Sequence, residues 1–224
     1  MKTIRLERVD STNLYAKKFQ EDVIVIAREQ TAGRGTKGRS FSSLKGGLYL
    51  TKVVHDLPFG AEELFRVMTD AAVAVCKTAE AFGLYPSIKW ANDVFLNGKK
   101  VCGILIENVL SGTKIASSSV GIGVNVNNLI PEELKGIATS FSEEAGREIP
   151  LDEVEEVLLQ SLERQYTLEE YKSYLHFLGK KITVYAGDES FEGIAKDVDE
   201  IGRLLVEREG KIAAYAAAEV SIRL

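Results

Sequence analysis

Residues 30–55 carry Arg34, Lys37, Arg39, Lys45 and Lys52 and no carboxylate, in a chain with 33 acids among 224 residues. Gly33, Gly35, Gly38, Gly46 and Gly47 crowd the same stretch. Glycines let backbone N–H groups approach an anion closely, and the cations neutralise it. The chemistry such a window could do is to hold a polyanion, for example the phosphate chain of a nucleotide. The plain alternative is a flexible, solvated loop. Residues 33–40 stand one residue away from the phosphate-loop pattern G-x-x-x-x-G-K-[ST], with Arg39 where that loop needs lysine. A phosphate loop must open directly into a helix. Residues 41–47 have no helical pattern and end in two glycines, so that reading is set aside.

A second constellation is Lys89, Trp90, Ala91, Asn92 and Asp93, followed by Lys99, Lys100, Val101, Cys102, Gly103 and, after an apolar run, Glu107. Asn97-Gly98 between them is a strong type I′ hairpin signal, so the two arms face each other. A third is Gly121, Gly123, Asn125 and Asn127 within residues 121–127. Glycines alternating inside a strand mark close approach by a ligand or another backbone. The plain alternatives are an exposed hairpin shoulder for Lys99 and Lys100 and core packing for Trp90.

The elements that must position these groups follow from local pattern. Residues 10–13, rich in helix-capping types, open a short helix near Ser11 or Thr12. Residues 23–27 are an apolar, partly β-branched run and read as a buried strand. Residues 48–54 read as a strand. Residues 61–82 place Leu64, Val67, Met68, Ala71, Ala72, Val75, Ala79 and Phe82 on one helical face, with Gly83 as the stop. Strands are expected over 88–90, 94–96, 101–107 and 114–126, and an amphipathic helix over 151–166. After residue 178 the texture changes to five short strand candidates (180–186, 191–197, 203–209, 212–215 and 219–223) separated by Gly or Asp turns. They suggest a small barrel appended to the larger unit.

The net charge of −5 excludes whole-surface phosphate binding of the kind nucleic-acid proteins show. Two cysteines cannot form a disulfide framework, which fits a reducing compartment. The first ten residues alternate in charge and are no signal peptide, and no apolar run reaches membrane-span length. A soluble, cytoplasmic protein with no membrane partner is expected. His55 and His176 have no cysteine or carboxylate cluster at ligand spacing, so no zinc site is expected, and a serine-hydrolase nucleophile elbow is missing.

Together and in this order the motifs resemble biotin protein ligases. Residues 10–13 match the family's D-S-T-N-like opening, 30–39 its Q-x-A-G-R-G-x-x-G-R, 43–49 its S-x-x-G-G-L-Y, 89–93 its K-W-P-N-D, 100–107 its K-x-x-G-I-L-x-E and 121–127 its G-x-G-x-N-V-N. Residues 197–224 resemble its terminal barrel. The resemblance implies an α+β fold: a mixed-sheet catalytic domain of the biotin/lipoate ligase type over 1–178, and a C-terminal SH3-like barrel over 179–224. It implies ATP-dependent activation of biotin to biotinyl-5′-adenylate, with Mg²⁺ as the accompanying ion, then transfer to a lysine of a biotin carboxyl carrier domain. It implies catalytic roles for Lys100, Arg34, Arg39 and Asp93. Ser11, Thr12, Gln30, Gly33, Arg34, Lys100, Gly103 and Gly121 are the implied biotin-binding set. Arg34, Gly35, Thr36, Lys37, Arg39, Phe41, Lys89, Asn92, Asn125 and Glu219 are the implied ATP-binding set, with Arg223 also reaching the nucleotide side. A loop mobile without ligand and ordered over the adenylate is expected. No carboxylate is singled out for the metal.

The sequence departs from the family at Thr36, where arginine is common, at Phe41 in place of tryptophan, at Ala91 in place of proline and at Ala218 in place of a frequent glycine. Residues 1–9 leave no room for the DNA-binding domain that some members carry, so a ligase without DNA partner is expected. A lipoate or octanoate ligase or transferase is the nearest rival, and a non-catalytic biotin- or adenylate-binding module is another. Monomer and homodimer both stay open, residues 114–126 being a candidate sheet edge for pairing.

Overall fold

The computed structural model describes residues 1–57, 60, 63–187, 189–217 and 220–223. Its larger part is built on seven strands: β1 (Lys2–Leu6), β2 (Val23–Ala27), β3 (Leu48–His55), β4 (Pro86–Lys89), β5 (Asp93–Leu96), β6 (Lys99–Ser111) and β7 (Lys114–Val124). They lie in the order β1-β2-β3-β7-β6-β5-β4. β1 runs parallel to β2 and every other pair is antiparallel, so the sheet is mixed. Asn97 (φ 47) and Gly98 (φ 78) turn β5 into β6, as the Asn-Gly signal requires. β7 pairs with β3 on one side and β6 on the other. The expectation that residues 114–126 form a sheet edge is therefore corrected. Strand order is set by long-range pairing that the local pattern does not carry, and the outer strands are β1 and β4.

Five helices accompany the sheet among the described residues: α1 (Thr12–Ala16), α2 (Phe65–Ala81), α3 (Phe141–Ala145), α4 (Leu151–Ser161) and α5 (Leu168–Ser173). α2 buries Ala71, Ala72, Ala74, Val75, Cys76 and Ala79 against the sheet, α4 and α5. It begins at Phe65 rather than residue 61, and residues 61 and 62 lie outside the described ones. α4 stops at Ser161, short of the expected 166, because the chain beyond is held elsewhere. Lys52 Nζ donates to the Leu162 carbonyl at 2.8 Å, and Tyr166 N–H donates to Asp70 at 2.8 Å.

The last five strands, β8 (Lys181–Ala186), β9 (Glu189–Val198), β10 (Leu204–Arg208), β11 (Lys211–Tyr215) and β12 (Val220–Arg223), form an antiparallel sheet ordered β11-β10-β9-β8-β12. Among the described residues no β11–β12 pairing closes it, so the expected barrel is an open five-stranded sheet. Its apolar side chains Ile182, Val184, Val198, Leu204, Val206 and Ile222 belong to the same buried cluster as α2 and the large sheet. A unit of this size has too little core of its own. Continuity with the larger core supplies the rest.

Candidate active site

The site sits where β6 and β7 meet the basic loop. The backbone of Lys100 is fixed on both sides: its N–H donates to the Ile137 carbonyl and its carbonyl accepts from Thr139 N–H, each at 2.9 Å. The Lys100 side chain, about one-third exposed, pairs with Asp93 at 2.8 Å and lies over the Phe41 ring, 5.7 Å from its centroid. Asp93 stands opposite Gly103 in the β5–β6 register. The I′ hairpin thus delivers the cation and the carboxylate to one point.

The basic loop is tied down at its base. Gln30 N–H donates to Ser43 O, Phe41 N–H to Gly33 O and Gly35 N–H to Arg39 O, at 2.9, 2.9 and 2.7 Å. Gly33 cannot be another residue without rearrangement, since a Cβ there would lie 2.4 Å from the Phe41 carbonyl oxygen. Arg34 and Arg39 are exposed on this scaffold.

Three adjoining cavities share two walls, Lys100 and Phe41. The first is narrow and is lined by Ser11, Thr12, Gln30, Arg34, Gly35, Thr36, Asn92, Gly103 and Gly121. Its inner end is polar. Thr12 N–H and Oγ both lie on Gln30 Oε1, at 2.8 and 3.0 Å, and Gln30 Nε2 donates to Ser43 Oγ at 2.9 Å. The second is a wide cleft of ≈ 860 Å³ lined by Arg39, Lys89, Asp93, Asn125 and Arg223, with the apolar Ile130, Leu134 and Ile137 on its far side. The third lies between the loop and the turn at 89–93 and adds Lys37. Burial lowers the pKa of Lys89, and Lys100, Arg223 and Arg39 push it the same way against Asp93. Such crowding of cations is relieved by an incoming anion.

Most of the expected residues are therefore brought together. Gly33 lies behind the wall rather than on it. Asn125 lines the cleft, but its amide is engaged inside the protein, donating to Thr139 O at 3.0 Å and accepting from Asn128 Nδ2 at 3.1 Å. Asn92 likewise donates to Ile104 O at 2.9 Å, bracing the turn against β6. Glu219 and Ala218 lie outside the described residues. Phe41, expected on the nucleotide side alone, also covers Gly103 and Gly123 and so walls the narrow cavity. Asn13 and Thr51 belong to the polar end and were not among the expected site residues. A polar side chain within the apolar run of β3 was the one signal for Thr51.

Asp93 is the only carboxylate among the described residues lining these cavities, and no cluster of three metal-ligating side chains occurs among the described residues. That donor set suits an ion such as Mg²⁺ that keeps waters and is carried in by phosphates. No helix among those described is long and apolar enough to cross a membrane.

Comparison with known proteins adds to this geometry. Residues 5–125 match the family model described as biotin/lipoate A/B protein ligase family, and residues 177–223 match that of the biotin protein ligase C-terminal domain. The chain is 34% identical over 220 residues to the bifunctional ligase/repressor BirA of Bacillus subtilis, covering 90% of this chain and 66% of that one. The chain thus spans just under two-thirds of that relative's length. It is 31% identical to the biotin–[acetyl-CoA-carboxylase] ligase of Paracoccus denitrificans, covering 96% of this chain and 98% of that one. The solved structure of a biotin protein ligase from Aquifex aeolicus in complex with biotin and ATP superposes with a TM-score of 0.84 at 31% identity, covering 99% of this chain and 98% of the other.

Proposed function

Because the chain belongs to the biotin/lipoate A/B protein ligase family, we propose that it is an ATP-dependent biotin protein ligase working in the cytoplasm. The observation that carries this reading is the junction at Lys100, where a narrow cavity with a polar inner end opens onto a cleft crowded with cations. Biotin's ureido ring fits the polar end, with Ser11, Thr12 and Gln30 around it and Gly103 and Gly121 leaving room. ATP fits the cleft, its phosphates among Arg39, Lys89 and Lys100 and its adenylate covered by residues 34–37.

Biotin's carboxylate oxygen attacks the α-phosphorus, the bond to the β-phosphate breaks, and pyrophosphate leaves. Lys100 reaches both the carboxylate and the α-phosphate and offsets the charge that collects as they meet. Mg²⁺ would be held mainly by the ATP phosphates and its own waters, and would neutralise the leaving phosphates. In the second step the amine of an acceptor lysine attacks the acyl carbon and AMP leaves. Asp93 aligns that amine or takes its proton. The acceptor we assign is a carrier domain of a biotin-dependent carboxylase. We divide the chain into a catalytic domain over 1–178 and a C-terminal domain over 179–224, with Arg223 of the latter facing the phosphates.

The test is biotin-dependent exchange of labelled pyrophosphate into ATP, with lipoate and octanoate as controls and Mg²⁺ present or absent. Exchange with biotin alone among the acids, and only with Mg²⁺, supports the reading. Lys100→Ala should lower exchange by about 10²-fold or more. Undiminished exchange in that variant would remove Lys100 from the chemistry.

A further inference from the structure

The polar end of the narrow cavity is set from behind. Thr51, on β3, is fully buried and lines none of the three cavities. Its Oγ lies 2.6 Å from Asn13 Oδ1 and 2.9 Å from Thr12 Oγ. Asn13 Nδ2 donates to Glu107 Oε2 at 3.3 Å, and Lys17 Nζ holds the other oxygen of that carboxylate at 3.0 Å. Gly121 stands opposite Thr51 in the β3–β7 register, and its missing side chain makes the room Asn13 occupies: a Cβ there would lie 2.1 Å from Asn13 Oδ1.

The hydrogens in this chain can be counted. Thr12 N–H fixes Gln30 with its oxygen toward Thr12, and the Glu107 carboxylate fixes Asn13 with its nitrogen outward, so Oδ1 must face Thr51. Three contacts, Gln30–Thr12, Thr12–Thr51 and Thr51–Asn13, then share two hydroxyl protons, because both ends are acceptors. Thr12 Oγ donates to Gln30 Oε1, and the Thr51 proton goes to Asn13, the shorter of its two contacts. Gln30 Oε1 then accepts twice from Thr12, while Thr12 Oγ accepts no hydrogen and keeps its lone pairs for a ligand in the cavity that Thr12 lines. An open acceptor there recognises a ligand through an N–H group.

We propose that Thr51 is a positioning residue for substrate recognition: its hydroxyl holds Asn13 and, by donating there, leaves Thr12 Oγ as an open acceptor for an N–H group of a ureido ring. This rests on the biotin ligase reading above. Thr51→Val keeps the shape and removes the hydroxyl, whereas Thr51→Ser keeps the hydroxyl.

The experiment is biotin binding by titration calorimetry, together with the KM for ATP in pyrophosphate exchange at saturating biotin. Thr51→Val should weaken biotin about tenfold or more and leave the KM for ATP within about twofold, while Thr51→Ser binds biotin within about twofold of the unsubstituted chain. Glu107→Ala, at a partly exposed position, frees the Asn13 amide and should weaken biotin about threefold or more. It serves where Thr51→Val does not fold. Biotin binding unchanged in Thr51→Val, or weakened equally in Thr51→Ser, overturns the inference. So does a rise in the KM for ATP as large as the loss of biotin affinity. If the unsubstituted chain binds no biotin, the reading of function falls and this inference with it.

Discussion

At the scale of single residues, Lys100 and Asp93 are in contact at 2.8 Å yet have separable tasks. In the proposed reaction Lys100 serves the first half-reaction and Asp93 the second. Asp93→Asn should leave pyrophosphate exchange within a few-fold while lowering biotin transfer to an acceptor lysine by about 10²-fold, the usual worth of a positioned proton acceptor. Comparing exchange with transfer in the same preparation checks this. Glu107 offers a pH test. Burial alone would raise its pKa, but hydrogen bonds from Lys17 and Asn13 bring it below the ordinary 4.5. A carboxylate with a depressed folded-state pKa stabilises the fold fully above its unfolded value, and that contribution is lost as pH falls through the lowered one. Melting between about pH 5 and about pH 3 should therefore fall more steeply for the unsubstituted chain than for Glu107→Ala. Residues that carry motif chemistry, such as Lys100, Asp93 and Gln30, were legible because their types and spacing are themselves the signal. Thr51 was not, because its role comes from facing Gly121 across a strand pair fixed far away in sequence.

At the scale of elements, the turn at 89–93 is clamped from below. Trp90 Nε1 donates to the Gly202 carbonyl at 3.0 Å, and the Tyr171 hydroxyl donates to the Ala91 carbonyl at 2.8 Å, both buried. Gly202 has φ 83, and a Cβ there would lie 2.1 Å from the Phe65 ring. Gly202→Ala should cost about 2–4 kcal/mol through overpacking and the left-handed backbone, read by denaturant unfolding. It should also raise the KM for ATP, since Lys89 and Asn92 flank the displaced Trp90. The basic loop, tied at its base with Arg34 and Arg39 exposed, should lose amide exchange over 33–41 when biotin and ATP are added together. Equal exchange with and without ligands would contradict closure over the adenylate. Strands with dense apolar patterns or an Asn-Gly turn, β2, β3, β5, β6 and β7, were readable locally. β1 was not, because its five residues hold only Ile4 and Leu6 as large apolar side chains. α3 and α5 were not, being five and six residues long, too short to show a helical period.

At the scale of the whole molecule, two sheets share one buried cluster. The change in texture after residue 178 was visible in the sequence, whereas the shared core was not, since it joins side chains more than a hundred residues apart. The acidic balance, −5 in net charge, sets the expectation toward nucleic acid: a gel shift on operator-like DNA at physiological salt should show no specific complex. A specific shift would contradict it. Lys100 and Phe41 are walls of the narrow cavity and of the cleft alike. Two guests that press on the same pair of side chains are expected to be thermodynamically coupled through them. Whatever factor biotin adds to the affinity for the nucleotide, the nucleotide must add to the affinity for biotin. Phe41→Ala should shrink that single factor in both directions by the same ratio, so that one aromatic ring sets how strongly the arrival of either substrate announces the other.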